Sequence, residues 1–389
     1  MILSTCPNAL RAAGGRPWLP VCSSLARSFS SSPVHRGKTI ITFGETSSPE
    51  LSEILNSFRE KVILPTYLAG EQRKKIYKPK LKAILQNDPV TMEIDGVLHK
   101  FGYINKVEDL PNTNKTVMRA LNLMKTPADF QNLVPLFEGL ERANRKVKSA
   151  IWTKAIRRAS ANGALPVILE CVRNPGRTNF RLNGHEKVME LLTVLQYPAI
   201  KSRFDEAKTK TALRQIQLVL NLMESNELHW NKRGDLAFPL HRDPQALAAR
   251  LHMAAARAAY HQGGKDVDGK VTSFAEQLVS LWPENAGLLD LQSDEAFKDR
   301  ERMRYLLHRN AYLWYASPVL NGLNLATQLV DPGLAMQLQN RADAVDNEVK
   351  TALASVVKAP GKKGEHMYNM LFNPDAESAE ADLAKEDTP

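Results

Sequence analysis

Cysteine is scarce in this chain. Its 389 residues include three cysteines, and two of them, Cys6 and Cys22, lie within the first 36 residues. A disulfide framework needs several paired cysteines, so this class of small secreted domain is excluded. The remaining Cys171 lies on the apolar face of a predicted helix, where cysteine behaves as a small hydrophobic side chain. We therefore expect Cys171 in the core and not in a reactive site.

Long apolar runs are also missing. A helix needs about 20 predominantly apolar residues to span a bilayer, and no stretch of the sequence approaches this length. Aromatic residues make up only 7% of the chain, whereas alanine and leucine are abundant. These features indicate a mainly α-helical protein with no transmembrane segment.

Acidic residues are absent from the first 36 positions, which carry four arginines among many serines, alanines and leucines. This composition is typical of a mitochondrial presequence, because acidic residues would oppose import across an energised membrane. Arg27, Phe29 and Ser32 have the spacing of a two-step processing site if the mature chain begins at Gly37. We therefore predict a presequence over 1–36 and a location in the mitochondrial matrix.

Charge is unevenly distributed over the rest of the chain. The tail from Pro374 holds six acidic residues and one lysine, whereas residues 37–373 carry a net charge of +11. A positively charged body attracts polyanions, of which RNA is the usual one. An ordinary solvated surface would explain the same excess equally well. The glycines and acidic residues of 359–389 predict a disordered acidic tail.

The segment 37–114 is predicted to form a basic N-terminal region. Beside Tyr77 it contains a dense group of cations, namely Arg73, Lys74, Lys75, Lys78 and Lys80. This group is the most RNA-like patch in the sequence, and a solvated basic helix end would look similar. Residues 90–101 alternate apolar and polar side chains around Asp95-Gly96, which predicts a small β-hairpin.

Residues 115–358 indicate helices joined by short turns. Thr126 followed by Pro127 predicts the start of one helix. Pro198 and Pro318 are predicted to separate neighbouring helices, since proline cannot donate the helical hydrogen bond. Helix pairs of this size are marginal alone, so neighbouring pairs must bury each other's apolar faces. We therefore predict an α-solenoid of helix–turn–helix repeats over 115–358.

One of these pairs resembles a pentatricopeptide repeat. The first helix of such a repeat carries an aromatic, then asparagine or threonine, an aliphatic residue and a glycine at set positions. Trp152, Thr153, Ile156 and Gly163 fill those positions. The resemblance implies a right-handed solenoid in an organelle that binds single-stranded RNA or serves in a mitochondrial ribosome. Lys154 stands where base-reading repeats have a small polar residue, which favours phosphate contacts over base recognition.

The sequence contains no complete catalytic, cofactor-binding or metal-binding motif. The run from Gly264 to Thr272 has the glycine and lysine spacing of a phosphate loop, but Val271 replaces the metal-binding serine or threonine. Asp266 and Asp268 would also repel phosphate, so we interpret the run as a loop between helices. The histidines are scattered and lack zinc-ligand spacing. We predict no catalytic residues, no cofactor and no metal.

The sequence thus predicts a non-enzymatic mitochondrial matrix protein of gene expression. Its expected partners are the mitochondrial ribosome or mitochondrial RNA, together with other matrix proteins. An assembly factor for a respiratory-chain complex is the alternative. The residues expected to contact RNA phosphates are Arg73, Lys74, Lys75, Lys78, Lys80, Lys154, Arg157, Arg158, Arg173, Arg177 and Arg181.

Overall fold

A computed structural model of the chain describes residues 40–94, 96–232, 234, 236–298, 302–355 and 363–374. The predicted presequence, Asp95 of the predicted turn and the acidic residues after Pro374 lie outside this part. Within it, no helix combines the length and the apolar character needed to cross a membrane.

The described part is mainly helical, as the sequence predicts. In chain order the α-helices are α1 (Pro49–Phe58), α2 (Gly70–Ile76), α3 (Lys82–Asn87), α4 (Thr113–Leu123), α5 (Pro127–Gln131), α6 (Leu133–Arg142), α7 (Ser149–Ala161), α8 (Leu165–Arg173), α9 (Pro175–Thr178), α10 (His185–Lys201), α11 (Glu206–Ser225), α12 (Pro244–His261), α13 (Lys270–Leu281), α14 (Asp294–Lys298), α15 (Arg309–Thr327), α16 (Pro332–Ala354) and α17 (Lys363–Phe372). A π-helical turn, Arg59–Ile63, extends α1, and short 3₁₀ segments lie at Leu64–Tyr67, Pro79–Leu81, Glu227–His229, Leu240–Arg242 and Arg304–Leu307.

Local signals set the predicted helix start at Thr126. Its hydroxyl accepts a hydrogen bond from the Asp129 amide at 3.3 Å, and the Asp129 carboxylate accepts one from the Thr126 amide at 2.9 Å. This reciprocal arrangement is a capping box, and Pro127 at the first helical position has no amide to leave unsatisfied. The start predicted from the sequence is confirmed.

The predicted hairpin is also confirmed. Strands β1 (Val90–Ile94) and β2 (Val97–Phe101) pair antiparallel, with Val90 opposite Phe101. Gly96 has a φ of +76° in the connecting turn, a conformation that favours glycine. Phe101 packs with Ile40, Leu64, Leu68 and Ile76 in a small hydrophobic cluster that holds the hairpin against the N-terminal helices.

The larger core forms one continuous cluster of apolar side chains. Helices α4, α7, α10, α12 and α15 each contact the next in this order. Four of them also pack against the helix that follows in the sequence: α7 on α8, α10 on α11, α12 on α13 and α15 on α16. Gly163, with a φ of +69°, lies in the turn between α7 and α8. The helix pair predicted around this glycine is confirmed. Helix α1 packs on α4, which joins the basic N-terminal region to this core.

The two prolines predicted to separate helices do not do so. Pro198 lies inside α10 and Pro318 lies inside α15. Each removes one helical hydrogen bond, at a cost of about 3 kcal/mol. Burial of the flanking turns offsets this cost: Leu195 and Ala199 around the first proline are buried, and Pro318 itself lies in the core. Tertiary packing therefore outweighs the local helix-breaking signal.

The predicted disordered tail requires a correction in its first half. Lys363–Phe372 forms α17, which packs against α15 and α10. Met367 is completely buried, and Met370, Leu371 and Phe372 pack against the main core. This apolar content supplies the burial that a disordered segment lacks. The acidic residues after Pro374 lie beyond the described chain.

Candidate nucleic-acid interface

The first predicted group of cations forms an exposed surface, which we call the α2 patch. Its members, all solvent-exposed, are Arg73, Lys74, Lys75, Lys78 and Lys80. Helix α2 is held in place by Ile76, which is completely buried in the small cluster under the hairpin. Lys74 forms an exposed ion pair with Glu71 at 2.9 Å, an interaction that water screens strongly. The patch therefore presents its charges to solvent.

Tyr77 lies half-buried at the edge of the α2 patch. Burial raises the pKa of its phenol, although Arg145 and Arg73 oppose the shift. The Lys106 ammonium lies 5.0 Å from the centre of its ring, a cation–π contact. The ring therefore packs against a neighbouring loop and does not stand free as a stacking platform.

The predicted cations of α7 have a different role. Arg157 donates to Glu190 at 2.7 Å, and Tyr315 donates to the same carboxylate oxygen at 2.6 Å. Burial lowers the pKa of Arg157, but the bond to Glu190 and its charge outweigh burial, so this pKa lies above its ordinary value. Arg158 donates to the carbonyl oxygens of α4, and Lys154 is half-buried. Arg157 and Arg158 thus hold α7 against its neighbours.

The three remaining predicted cations follow α7 in the sequence and have different surroundings. Arg173 is exposed at the end of α8. Arg177 is exposed in α9 and forms an ion pair with Glu138 at 2.7 Å. Arg181 lines a cleft, and its Nε atom is buried without a hydrogen-bond partner in the described part of the chain.

This cleft, which we call the α7/α10 cleft, has a volume of about 780 Å³ and lies at the N-terminal ends of α7 and α10. Its lining includes six cations, namely Lys146, Lys148, Arg181, Lys187, Lys232 and Arg302, against the two carboxylates Glu141 and Glu227. Trp230 also lines it and keeps 43% of its surface exposed. The volume lies in the range of small-molecule binding sites.

Buried contacts hold the walls of the cleft. The Lys187 ammonium donates to the Arg181 carbonyl oxygen at 2.7 Å and to the Asn183 side-chain oxygen at 2.6 Å. Burial lowers the pKa of Lys187 to about 8, with a further contribution from the charge of Arg181. His229 accepts from the Leu182 amide at its Nδ1, 3.0 Å away, so its Nε2–H donates to the Val172 carbonyl oxygen at 3.0 Å. His229 thereby fixes the loop that carries Trp230 and Lys232.

The other sequence candidates have structural roles. The phosphate-loop-like run connects α12 to α13, where Asp266 accepts from the amide and hydroxyl of Thr272 at 2.9 and 3.0 Å. Asp268 pairs with Lys270 at 2.7 Å, so the loop interpretation is confirmed. Cys171 is completely buried, and burial raises the pKa of its thiol. The described residues contain no group of three or more potential metal ligands.

Sequence reasoning missed most of the cleft. Lys146, Lys148, Lys187 and Lys232 come from separate loops and helix starts, and each looks like an ordinary surface cation in the sequence. Trp230 beside a short basic run was the one local signal that could have directed attention there. The packing of α7 on α10 and the hydrogen bonds of His229 to Leu182 and Val172 bring these residues together.

Comparison with known proteins adds independent evidence. A family model described as mitochondrial ribosomal protein mS27 matches residues 27–371. The small ribosomal subunit protein mS27 of Neurospora crassa is 43% identical over 363 residues, covering 88% of this chain and 91% of the relative. A match of this length leaves little of either chain unaccounted for. The chain belongs to the mitochondrial ribosomal protein mS27 family.

Proposed function

We propose that this chain is a structural, non-catalytic component of the small subunit of the mitochondrial ribosome, working in the mitochondrial matrix. Membership of the mS27 family carries the proposal, because the relative that aligns over 91% of its length is named a small ribosomal subunit protein. The acid-free, arginine-containing leader supports the same address. Family membership favours the ribosome over the assembly of a respiratory-chain complex.

A scaffold role is supported by the order in which the helices pack. Helices α4, α7, α10, α12 and α15 contact their successors, and most also contact the helix that follows them in the chain. An α-solenoid of helix–turn–helix repeats would give this order, since each repeat touches mainly its neighbours. Such an architecture offers a long surface on which other subunit components can dock.

The α2 patch is the proposed RNA contact. Three of its five exposed cations lie on α2, which Ile76 anchors, and Lys78 and Lys80 follow at the start of the next 3₁₀ segment. All five are exposed, so they can approach a phosphate backbone without rearrangement of the core. Each phosphate neutralised releases counterions, and this release makes RNA binding favourable and salt-dependent. Lys154, Arg173 and Arg177 could add further contacts, whereas Arg157 and Arg158 are engaged in internal bonds.

The test is charge reversal in the assembled particle. A chain carrying Lys74→Glu, Lys75→Glu and Lys78→Glu replaces the parent in mitochondria, and its sedimentation with the small subunit is measured. We expect release into the light fractions at a salt concentration that retains the parent. The matched control reverses three exposed cations of α11, Lys208, Lys210 and Arg214, and should stay with the subunit. Equal retention of both variants would remove the α2 patch from the proposal.

A further inference from the structure

The α7/α10 cleft concentrates positive charge from distant parts of the chain. Lys146 and Lys148 precede α7, Arg181 and Lys187 flank the start of α10, and Lys232 follows the loop that His229 anchors. Lys146, Lys148 and Lys232 are exposed. The six cations outnumber the carboxylates Glu141 and Glu227 in the lining, and a cleft with such an excess of one sign focuses the electrostatic field and attracts ions of the opposite sign. The expected ligand is therefore an anion.

Two helix N-termini reinforce this charge. Helix α7 has 13 residues and α10 has 17, and the residues at both starts line the cleft. Their cap residues are Lys148, whose side chain cannot accept a hydrogen bond, and Gly184, which has no side chain. Neither cap side chain therefore occupies an amide in the first turn of its helix, although the Ile151 amide donates to the Lys148 carbonyl oxygen at 3.0 Å. The positive ends of two helix dipoles meet at one cavity. Arg181 Nε, buried and unpartnered among the described residues, adds a donor.

An aromatic side chain distinguishes between possible anions. Trp230 is exposed over 43% of its surface although large aromatic side chains usually lie in the core. Its indole N–H donates to the Met223 carbonyl oxygen at 2.9 Å, which holds the ring in one orientation. A fixed, exposed indole beside cations suits a nucleobase, which stacks on aromatic rings in single-stranded RNA recognition. An acidic peptide would use the cations and leave the ring without a matching planar group.

We propose that the α7/α10 cleft binds a segment of single-stranded RNA, with phosphates at the two helix N-termini and the surrounding cations and a base stacked on Trp230. The proposal rests on the proposed ribosomal function and gives it a second RNA site, distinct from the α2 patch. The cleft reads no particular sequence, because cations, backbone amides and ring stacking are common to all nucleotides.

The experiment measures the affinity of the full mature chain for a fluorescent oligouridylate of about ten nucleotides, a length suited to one single-strand site. Every protein compared also carries Lys74→Glu, Lys75→Glu and Lys78→Glu, so that the α2 patch does not contribute to binding. Trp230→Leu should weaken binding by about 5- to 150-fold, the loss expected for one stacked base. Trp230→Phe keeps a stacking ring and should restore most of the affinity. The double variant Lys146→Glu/Lys148→Glu should lower the slope of log affinity against log salt by about 1.4, for two phosphate contacts.

The control is Lys208→Glu/Lys210→Glu on α11, which changes the charge by the same amount outside the cleft and should leave affinity near that of the parent. Melting temperatures of all variants are compared, and Lys232→Glu on the loop wall repeats the test at an exposed position. Cleft variants that bind the oligouridylate as tightly as the α11 control would overturn the proposal. The proposal would also be overturned if the cleft variants lost affinity for a polyglutamate peptide but kept the affinity of the parent for RNA. The ligand of the cleft would then be an acidic protein segment.

Sedimentation of the parent chain separates this outcome from the proposed function. If the parent sediments with the small subunit while cleft variants bind RNA normally, the cleft proposal alone fails. If the parent does not sediment with the subunit, the ribosomal function fails whatever the cleft binds.

Discussion

The guanidinium of Arg158 in α7 donates to the backbone carbonyl oxygen of Met124 at 2.7 Å. The same side chain donates to the carbonyl oxygens of Leu121 and Asn122 at 3.3 and 3.2 Å. These carbonyls belong to the end of α4, where a helix leaves its acceptors without internal partners and where positive charge is favourable. Arg158, which the charge pattern predicted to contact RNA, thus caps the C-terminal end of α4.

Replacing this cation should affect folding. Arg158→Ala leaves carbonyl oxygens at the end of α4 without a charged donor, so we expect the free energy of unfolding to fall by about 1.5–3 kcal/mol. Urea denaturation of the mature chain measures the loss. Arg173→Ala, at an exposed position of α8, serves as control and should change stability by less than about 0.5 kcal/mol. Equal stability of the two variants would contradict the capping role.

Close approach of α12 and α15 should make Gly322 sensitive to any added side chain. A Cβ atom at Gly322 would lie 2.9 Å from the Cα and 2.7 Å from the Cβ of His252. Backbone atoms cannot rotate away, so Gly322→Ala should force the helices apart and lower stability by about 1–3 kcal/mol. Gly102→Ala, where the new methyl group meets nothing within 4 Å, is the matched control. The melting temperatures of both variants are compared with that of the parent. A Gly322→Ala protein as stable as the parent would show that α12 and α15 can separate without loss of stability.

Acid should destabilise the fold through His252. The ring is completely buried, with its Nδ1 2.7 Å from the Gln196 side-chain oxygen and its Nε2 2.9 Å from that of Asn321. Burial lowers its pKa to about 4, against the smaller opposing effect of the bond to Asn321. An unfolded histidine has a pKa of about 6.5, so between about pH 6.5 and 4 only the unfolded chain binds the proton. Stability contributed by this group is present above pH 6.5 and is lost as the pH falls.

The size of this effect follows from the difference between the two pKa values, which corresponds to about 3 kcal/mol at the acid limit. Urea denaturation at pH 7.5, 6, 5 and 4.5 compares the parent with His252→Gln, which cannot take up the proton. The variant should be less stable at neutral pH and should lose less stability on acidification. Parallel acid profiles for the two proteins would exclude His252 as the source.

Docking of α17 should depend on Gly364. Its amide donates to the Asn310 side-chain oxygen at 2.9 Å, and an added Cβ atom would collide with the Asn310 carbonyl oxygen. Gly364→Ala should therefore push α17 away from α15. Hydrogen exchange should accelerate across 363–372 while the amides of α4 keep their protection. Unchanged exchange in α17 would mean that the helix docks mainly through Met367.

Local sequence signals predicted the elements whose determinants are short-range. Thr126 and Pro127 set a helix start, Gly96 fits the hairpin turn and Gly163 ends α7, because each depends on neighbouring residues alone. The same reasoning failed at Pro198 and Pro318, where burial of flanking turns outweighs the missing amide. It also failed for α17, whose apolar residues are stabilised by contact with α15 and α10, elements distant in the sequence.

Charge illustrates the same division. The sequence by itself determined the helical class, the acid-free leader, the basic body and the exposed cations around α2. Composition, local charge density and periodicity are all properties of the sequence and need no contact between distant residues. Only the tertiary structure decided which cations are free: it placed Arg157 on Glu190 and Arg158 on Met124, and it brought Lys148, Lys187 and Trp230 to one cleft. The physical reason is that ion pairing and cleft formation depend on distances across the packed helices, and residues far apart in sequence set those distances.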